Sequence, residues 1–249
     1  MCGHPQAEPS PGGTAVLSPH PADTDAQVPV VLDRRDGPHG EVVLRQRGAR
    51  YEIIANGCFL MDTSDGRSER LLVDAAFETL DGAALYGGAS VLIGGLGVGF
   101  SLARAAANPG WGRIAVVERE RAIIDWHREG PLGAISREAL SDPRTVILHT
   151  DLVAYARTAS DTYDALCLDI DNGPDWTVTE DNSSLYSPAG LAACQARLNP
   201  GGVLAVWSAQ PSASFEESLR NAGFSGVRTK EVQVARGVPD VVHLAHRPA

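Results

Sequence analysis

The 249-residue sequence has no CxxC pair and no group of cysteines and histidines at ligand spacing; Cys2, Cys58, Cys167 and Cys194 lie scattered along it. That argues against a disulfide framework and against a zinc site, so no metal is expected and a reducing, cytoplasmic setting fits best. No apolar run approaches the ~20 residues a bilayer span requires, and no charged segment followed by an apolar stretch opens the chain. A soluble, non-secreted protein with no membrane partner is expected. Runs of lysine or arginine are also missing. With 21 Lys+Arg against 31 Asp+Glu and a net charge of -10, the chain repels phosphate polyanions, and nucleic acid is not an expected partner. An acidic field is compatible with a cationic small molecule, although it also serves plain solubility.

What is present is core material. Apolar residues make up 43% and charged residues 21%, enough at this length for one full α/β domain with a small appendage but not for two complete domains. Six of the sixteen prolines fall within the first 29 residues, among small polar residues that bury too little surface to offset ordering, so residues 1–28 are read as a disordered tail. From Glu41 the pattern changes to short β-prone runs, EVVLRQR and RYEIIAN, separated by Gly48-Ala49, with a third strand, CFLMD, after Asn56-Gly57. Residues 29–66 therefore read as a small N-terminal β region. The apolar spacing of Leu71, Leu72, Ala75, Ala76 and Leu80 predicts a helix over 68–80, with Ser68 as its N-cap.

Residues 67–249 form the main domain of this reading. From Ala89 strands and helices alternate: ASVLIG, RIAVVE, RTVILH, YDALCLDI and GGVLAVWSA read as strands, followed by a closing pair around VRTKEVQVA and VVHLAHR. Helices are expected near 99–107, 120–129, 151–158, 187–198 and 214–222. Alternation of this kind is the signature of an α/β fold, a Rossmann-like doubly wound sheet of seven strands.

The first of these strands runs into GGLGVGF, placing Gly94, Gly95, Gly97 and Gly99 at a strand-to-helix turn where the chain bends sharply and a ligand approaches the backbone. The second ends in Glu118, about 20 residues on, where an acid accepts hydrogen bonds from ribose hydroxyls. Asp151 follows the third strand, in reach of an adenine amino group, and is equally well placed as a helix N-cap. Each has a plainer reading, the glycines as tight packing and Glu118 as a solvated helix start, but together the three points favour a nucleoside site. The fourth strand ends in Asp169, beside Asp171, Asn172 and a Gly173-Pro174 turn. A carboxylate there can receive an ammonium substrate and take its proton, which amine alkylation requires because the attacking nitrogen needs a free lone pair. Asp171 and Asn172 are also ordinary turn formers. Trp176, in the long loop that follows, either covers the site or plugs the core edge.

Over residues 40–246 the pattern resembles the spermidine synthase family. The resemblance is carried by NGCFLMDTSDGRSERLL, VLIGGLGVG, VVERE, YDALCLDIDNGP, SLYSPAGL and LNPGGVLAVW, in that order. It implies a small β domain on a methyltransferase-type sheet, with an aminopropyl group passing from decarboxylated S-adenosylmethionine to a diamine. It further implies that Glu118 holds the ribose, that Asp151 contacts adenine, that Asp169 faces both donor and amine, and that Glu69 lies near the acceptor channel. Tyr186, in the SLYSPAGL motif, enters as a catalytic candidate with Asp169 and Asp171, and Asn172 and Trp176 as substrate contacts. The family's loop usually reads GGGDGG, with its acid near the donor's ammonium; Gly97 stands there instead, which relieves repulsion of a methionine carboxylate. Intact S-adenosylmethionine is therefore carried as a second donor, with an aminocarboxypropyl group transferred. Methyl transfer to a small molecule is the alternative activity, and nucleoside binding without catalysis the alternative class. A homodimer is expected by analogy.

Overall fold

The computed structural model describes residues 27–80, 82, 88–170, 172–175, 177, 180–233 and 239–249. The tail expected over residues 1–28 lies almost wholly outside them, as do Asp171 and Trp176.

The N-terminal unit is a four-stranded antiparallel meander: β1 (Val30–Gly37), β2 (Gly40–Arg47), β3 (Arg50–Ala55) and β4 (Cys58–Asp62). Its turns follow from local chemistry. Gly48, with φ 60°, supplies the left-handed first position of the two-residue β2–β3 turn, and Asn56-Gly57, with φ 50° and 79°, forms the β3–β4 turn. The sequence reading missed β1, because VVLDRRDG has no apolar alternation. It is an edge strand whose polar side chains do the anchoring: Trp126 Nε1 donates to Asp33 Oδ2 at 2.8 Å, and Arg35 pairs with Asp125 at 2.8 Å.

The link is α1 (Arg67–Thr79), which buries Leu72, Val73, Ala75 and Ala76. Ser68 does not cap it. The N-cap is Gly66 at φ 75°, and Ser68, one residue inside the helix, turns inward to donate to Asp240 Oδ2 at 2.6 Å.

The main sheet has seven strands: β5 (Ala89–Gly94), β6 (Trp111–Glu118), β7 (Thr145–His149), β8 (Tyr163–Leu168), β9 (Leu198–Ser208), β10 (Ser225–Val232) and β11 (Asp240–His246). Their order is β10-β11-β9-β8-β5-β6-β7, with the β10–β11 and β11–β9 pairings antiparallel and the others parallel. The helices are α2 (Phe100–Ala107), α3 (Arg121–Arg128), α4 (Gly133–Ser141), α5 (Leu152–Thr158), a short α6 (Glu180–Ser183), α7 (Pro188–Arg197) and α8 (Ala213–Asn221). Alternate residues of the central strands feed two cores. Val91, Ile93, Val116 and Cys167 pack toward α1 and α2, and Leu92, Val117, Leu166 and Leu168 toward α5 and α7. The expected doubly wound sheet of seven strands with a β appendage is the observed fold. The unforeseen α4 hides behind Gly130, Pro131 and Gly133, which read as loop; it buries Gly133, Ser136 and Ala139, with Ile135 and Leu140 half-buried against the core. Among the described residues, no helix is long and apolar enough to cross a membrane.

Candidate functional site

The strand order reverses between β5 and β8, and in an open α/β sheet a crevice forms at the carboxyl edge beside such a point. A cavity of about 650 Å³ lies there, roofed by the β2–β4 meander and floored by the ends of β5, β6 and β8. Its wall includes Glu69, Gly95, Gly97, Glu118, Asp151, Asp169 and Asn172, so seven of the sequence-designated residues come together. Gly94 and Gly99 do not reach it. They back onto Leu152 and His127 respectively, and their role is close packing.

The glycine loop works differently from the expectation of bare backbone offered to a ligand. A Cβ on Gly95, at φ 94°, would lie 2.6 Å from the Asp169 carbonyl oxygen, so this glycine lets the loop press against the end of β8. At Gly97, φ 50°, the corresponding space holds the Met61 thioether, 2.4 Å from an ideal Cβ. The Val98 N–H points at the same sulfur, at 3.2 Å. The place that an acidic side chain occupies in the resembled loop is thus filled from β4. Gly97→Ala is expected to lower stability by about 1–2 kcal/mol through the left-handed backbone, as read from denaturant unfolding.

Glu118 ends β6 and is almost fully buried. Its Oε2 accepts from the Leu96 N–H at 3.0 Å and its Oε1 from the Glu120 N–H at 2.8 Å. Burial pushes its carboxyl up, while those two amides act the other way. A carboxylate has about four acceptor positions, so each oxygen keeps capacity for a further donor on the cavity side. Asp151 caps α5, its Oδ1 accepting from the Ala154 N–H at 2.8 Å. The capping role is realised, and it uses one of the two oxygens while the residue still lines the cavity.

Asp169 follows β8 directly, its N–H donating to the Gly94 carbonyl at 3.0 Å. Burial raises its carboxyl to about 7, helped by the charges of Glu69 and Asp240, while the Ser101 hydroxyl at 3.4 Å opposes the shift. Glu69 is raised as well, chiefly by burial and further by Asp240 and Asp65, with Arg70 opposing. Three carboxylates therefore share one end of the cavity. The guanidiniums on its wall are already matched to acids: Arg67 to Asp65 at 2.6 Å and Arg119 to Glu120 at 3.3 Å.

Sequence reasoning missed Asp240, Met61 and Asn182 on this wall. Asp240 had a topological signal. Because β11 runs against β9, its first residue lies at the same edge as the carboxyl ends of the parallel strands. Tyr186, designated catalytic, needs correcting. It is absent from the cavity wall and sits in the apolar core around α7, its ring edge-on to Phe215 at 5.5 Å. Among the described residues, no group of three or more His, Cys, Asp or Glu is arranged to hold a metal ion.

A seven-stranded sheet in this order, with an acid after β6 and a crevice at the strand switch, defines a Rossmann-like architecture of the methyltransferase type. Within that class, the chain shares the fold of spermidine synthase. It superposes on spermidine synthase in complex with the transition-state analogue AdoDATO with a TM-score of 0.72, 16% identity and coverage of 87% of this chain and 73% of that one. The spermidine synthase from Thermotoga maritima gives 0.69, again at 16% identity, covering 87% and 72%. In sequence, the chain is 25% identical over 206 residues to a polyamine aminopropyltransferase of Mycobacterium tuberculosis, covering 78% of this chain and 37% of that protein. It is 30% identical over 155 residues to polyamine aminopropyltransferase 2 of Pseudomonas aeruginosa, covering 58% and 42%. The chain thus spans less than half the length of these relatives. No family model matches it.

Proposed function

We propose that this chain is a transferase that moves the aminopropyl group of decarboxylated S-adenosylmethionine to an amine and releases methylthioadenosine. The observation that carries this reading is the convergence of Glu69, Asp169 and Asp240 at one end of a cavity whose other end has the acceptors for a nucleoside. Glu118 takes the ribose hydroxyls and Asp151 the adenine amino group. Asp169, ionised, accepts a proton from the acceptor's ammonium; the freed nitrogen attacks the carbon next to the sulfonium, the carbon–sulfur bond breaks, and its electrons return to sulfur as a neutral thioether. Glu69 and Asp240 hold the cationic acceptor beside Asp169. Asn172 is a polar contact at the same end, and the names of the relatives agree with an amine acceptor.

The decarboxylated donor is preferred over the intact one on charge. A methionine carboxylate would need an unpaired cation, whereas the wall offers paired guanidiniums and an excess of acids. Met61 occupies the space beside Gly97, which supports the same preference. Calorimetric titration is expected to show the decarboxylated compound binding at least about tenfold tighter, one unfavourable charge contact being worth about 1.4 kcal/mol or more; equal affinities would sink this preference. Asp240→Asn is expected to raise the KM for the acceptor about tenfold while leaving donor affinity within about twofold, since one charge-assisted hydrogen bond is lost. Initial-rate kinetics with each substrate varied in turn will test it. A cytoplasmic homodimer completes the proposal, and light scattering giving twice the chain mass would bear on the pairing.

A further inference from the structure

His127 lies on α3, on the side of the glycine loop away from the cavity, and is 1% exposed. Its Nε2 is 2.8 Å from the Gly97 carbonyl oxygen, and its Nδ1 is 2.6 Å from Ser136 Oγ on α4. A carbonyl only accepts, so Nε2 must carry the hydrogen. Burial keeps the imidazole pKa below its ordinary value, and in the neutral ring Nδ1 is then the acceptor for the Ser136 hydroxyl. Ser136 is fully buried, so the hydroxyl has no bulk water to turn to.

We infer that His127 is a positioning residue for the donor loop: held by Ser136, it fixes the Gly97 carbonyl and with it the conformation of the loop that faces the nucleoside. The loop is gripped on two sides. Met61 Sδ meets Val98 N–H and fills the space beside Gly97 from the meander, and His127 holds the carbonyl of the same glycine from α3. A Cβ on Gly99 would lie 2.8 Å from His127 Cε1, so the next glycine of the loop is shaped to the same ring. Without the donated hydrogen bond, a half-buried residue at φ 50° has lost a constraint, and donor binding must supply the ordering. No proton transfer to substrate is involved. The residue touches neither donor nor acceptor, and its effect falls on binding and on loop order.

The test compares His127→Gln, whose amide N–H can replace the Nε2–H, with His127→Leu, which cannot, and adds Ser136→Ala. Two readings are taken for each: affinity for methylthioadenosine by calorimetry, and amide hydrogen exchange over residues 95–99 in the ligand-free protein, with circular dichroism confirming a folded chain. His127→Leu is expected to weaken nucleoside binding roughly tenfold and to speed exchange in the loop. His127→Gln should stay within about threefold of the parent, with Ser136→Ala between them. The inference rests on the nucleoside reading for its binding arm only. If the parent protein fails to bind any thionucleoside, that reading falls, while the exchange arm still decides the positioning role. Unchanged loop exchange in a folded His127→Leu variant overturns the inference, as does a His127→Gln variant as impaired as the leucine one.

Discussion

Asp169→Asn is expected to lower the turnover of aminopropyl transfer by about two to four orders of magnitude, the usual contribution of a positioned general base, while making the protein more stable above neutral pH. Both effects come from the same burial. The folded-state carboxyl sits at about 7 against an ordinary 3.8, raised first by desolvation and then by Glu69 and Asp240. The folded protein therefore holds this proton more tightly than the unfolded chain does. Stability on this account falls as pH rises from about 4 to about 7, and the penalty persists above it. Asparagine removes the buried charge, so the melting midpoint of Asp169→Asn at pH 8 should exceed that of the parent, and the difference should vanish near pH 4. In the parent, kcat/KM for the acceptor should rise with pH through about 7 as the free protein's base ionises. Stopped assays over pH 5 to 9 with parallel thermal melts check both arms. A variant that is inactive but also destabilised at pH 8 would mean that Asp169 is a structural acid.

Glu118→Ala should weaken binding of methylthioadenosine by at least about a hundredfold. Two hydrogen bonds to a charged acceptor are lost, each worth roughly 1.5–3 kcal/mol, and every 1.4 kcal/mol is a factor of ten. The side chain also organises the site before any ligand arrives. It ties the Leu96 amide of the glycine loop to the Glu120 amide at the start of α3, and alanine leaves both amides without that partner. Glu118→Gln does not escape the penalty, because its NH2 group meets one of two N–H donors head-on. Calorimetry on both variants will give the loss, and an affinity within threefold of the parent would remove Glu118 from the nucleoside site.

The sheet was legible in the sequence because its central strands are buried on both faces and read as short, continuous apolar runs: ASVLIG, RIAVVE, YDALCL. Elements held by polar contacts were not legible. β1 is fastened by Asp33 and Arg35, and the fully buried residues of α4 are the small Gly133, Ser136 and Ala139, so neither leaves a strong apolar period to find. The site divides in the same way. Gly95, Gly97, Glu118, Asp151 and Asp169 stand at the ends of consecutive strands, where order along the chain predicts position in space. Asp240 and Met61 come from the far ends of the sequence and meet the cavity only through the antiparallel β11 and the folded-over meander. Tyr186 shows the opposite failure, since a motif placed it near the chemistry and the packing of α7 against α8 drew its ring into the core. Ser68 shows that a residue suited to a cap can be drawn inward when a half-buried carboxylate, Asp240, offers a stronger acceptor.

The most direct measurement is a product analysis. The purified chain is incubated with decarboxylated or intact S-adenosylmethionine and a panel of aliphatic mono- and diamines, and the thionucleosides and amines are identified by mass spectrometry. The account predicts methylthioadenosine and an aminopropylated amine in equal amounts from the decarboxylated donor, with both formed at least about a hundredfold more slowly by Asp169→Asn. S-adenosylhomocysteine from the intact donor as the sole thionucleoside would contradict it.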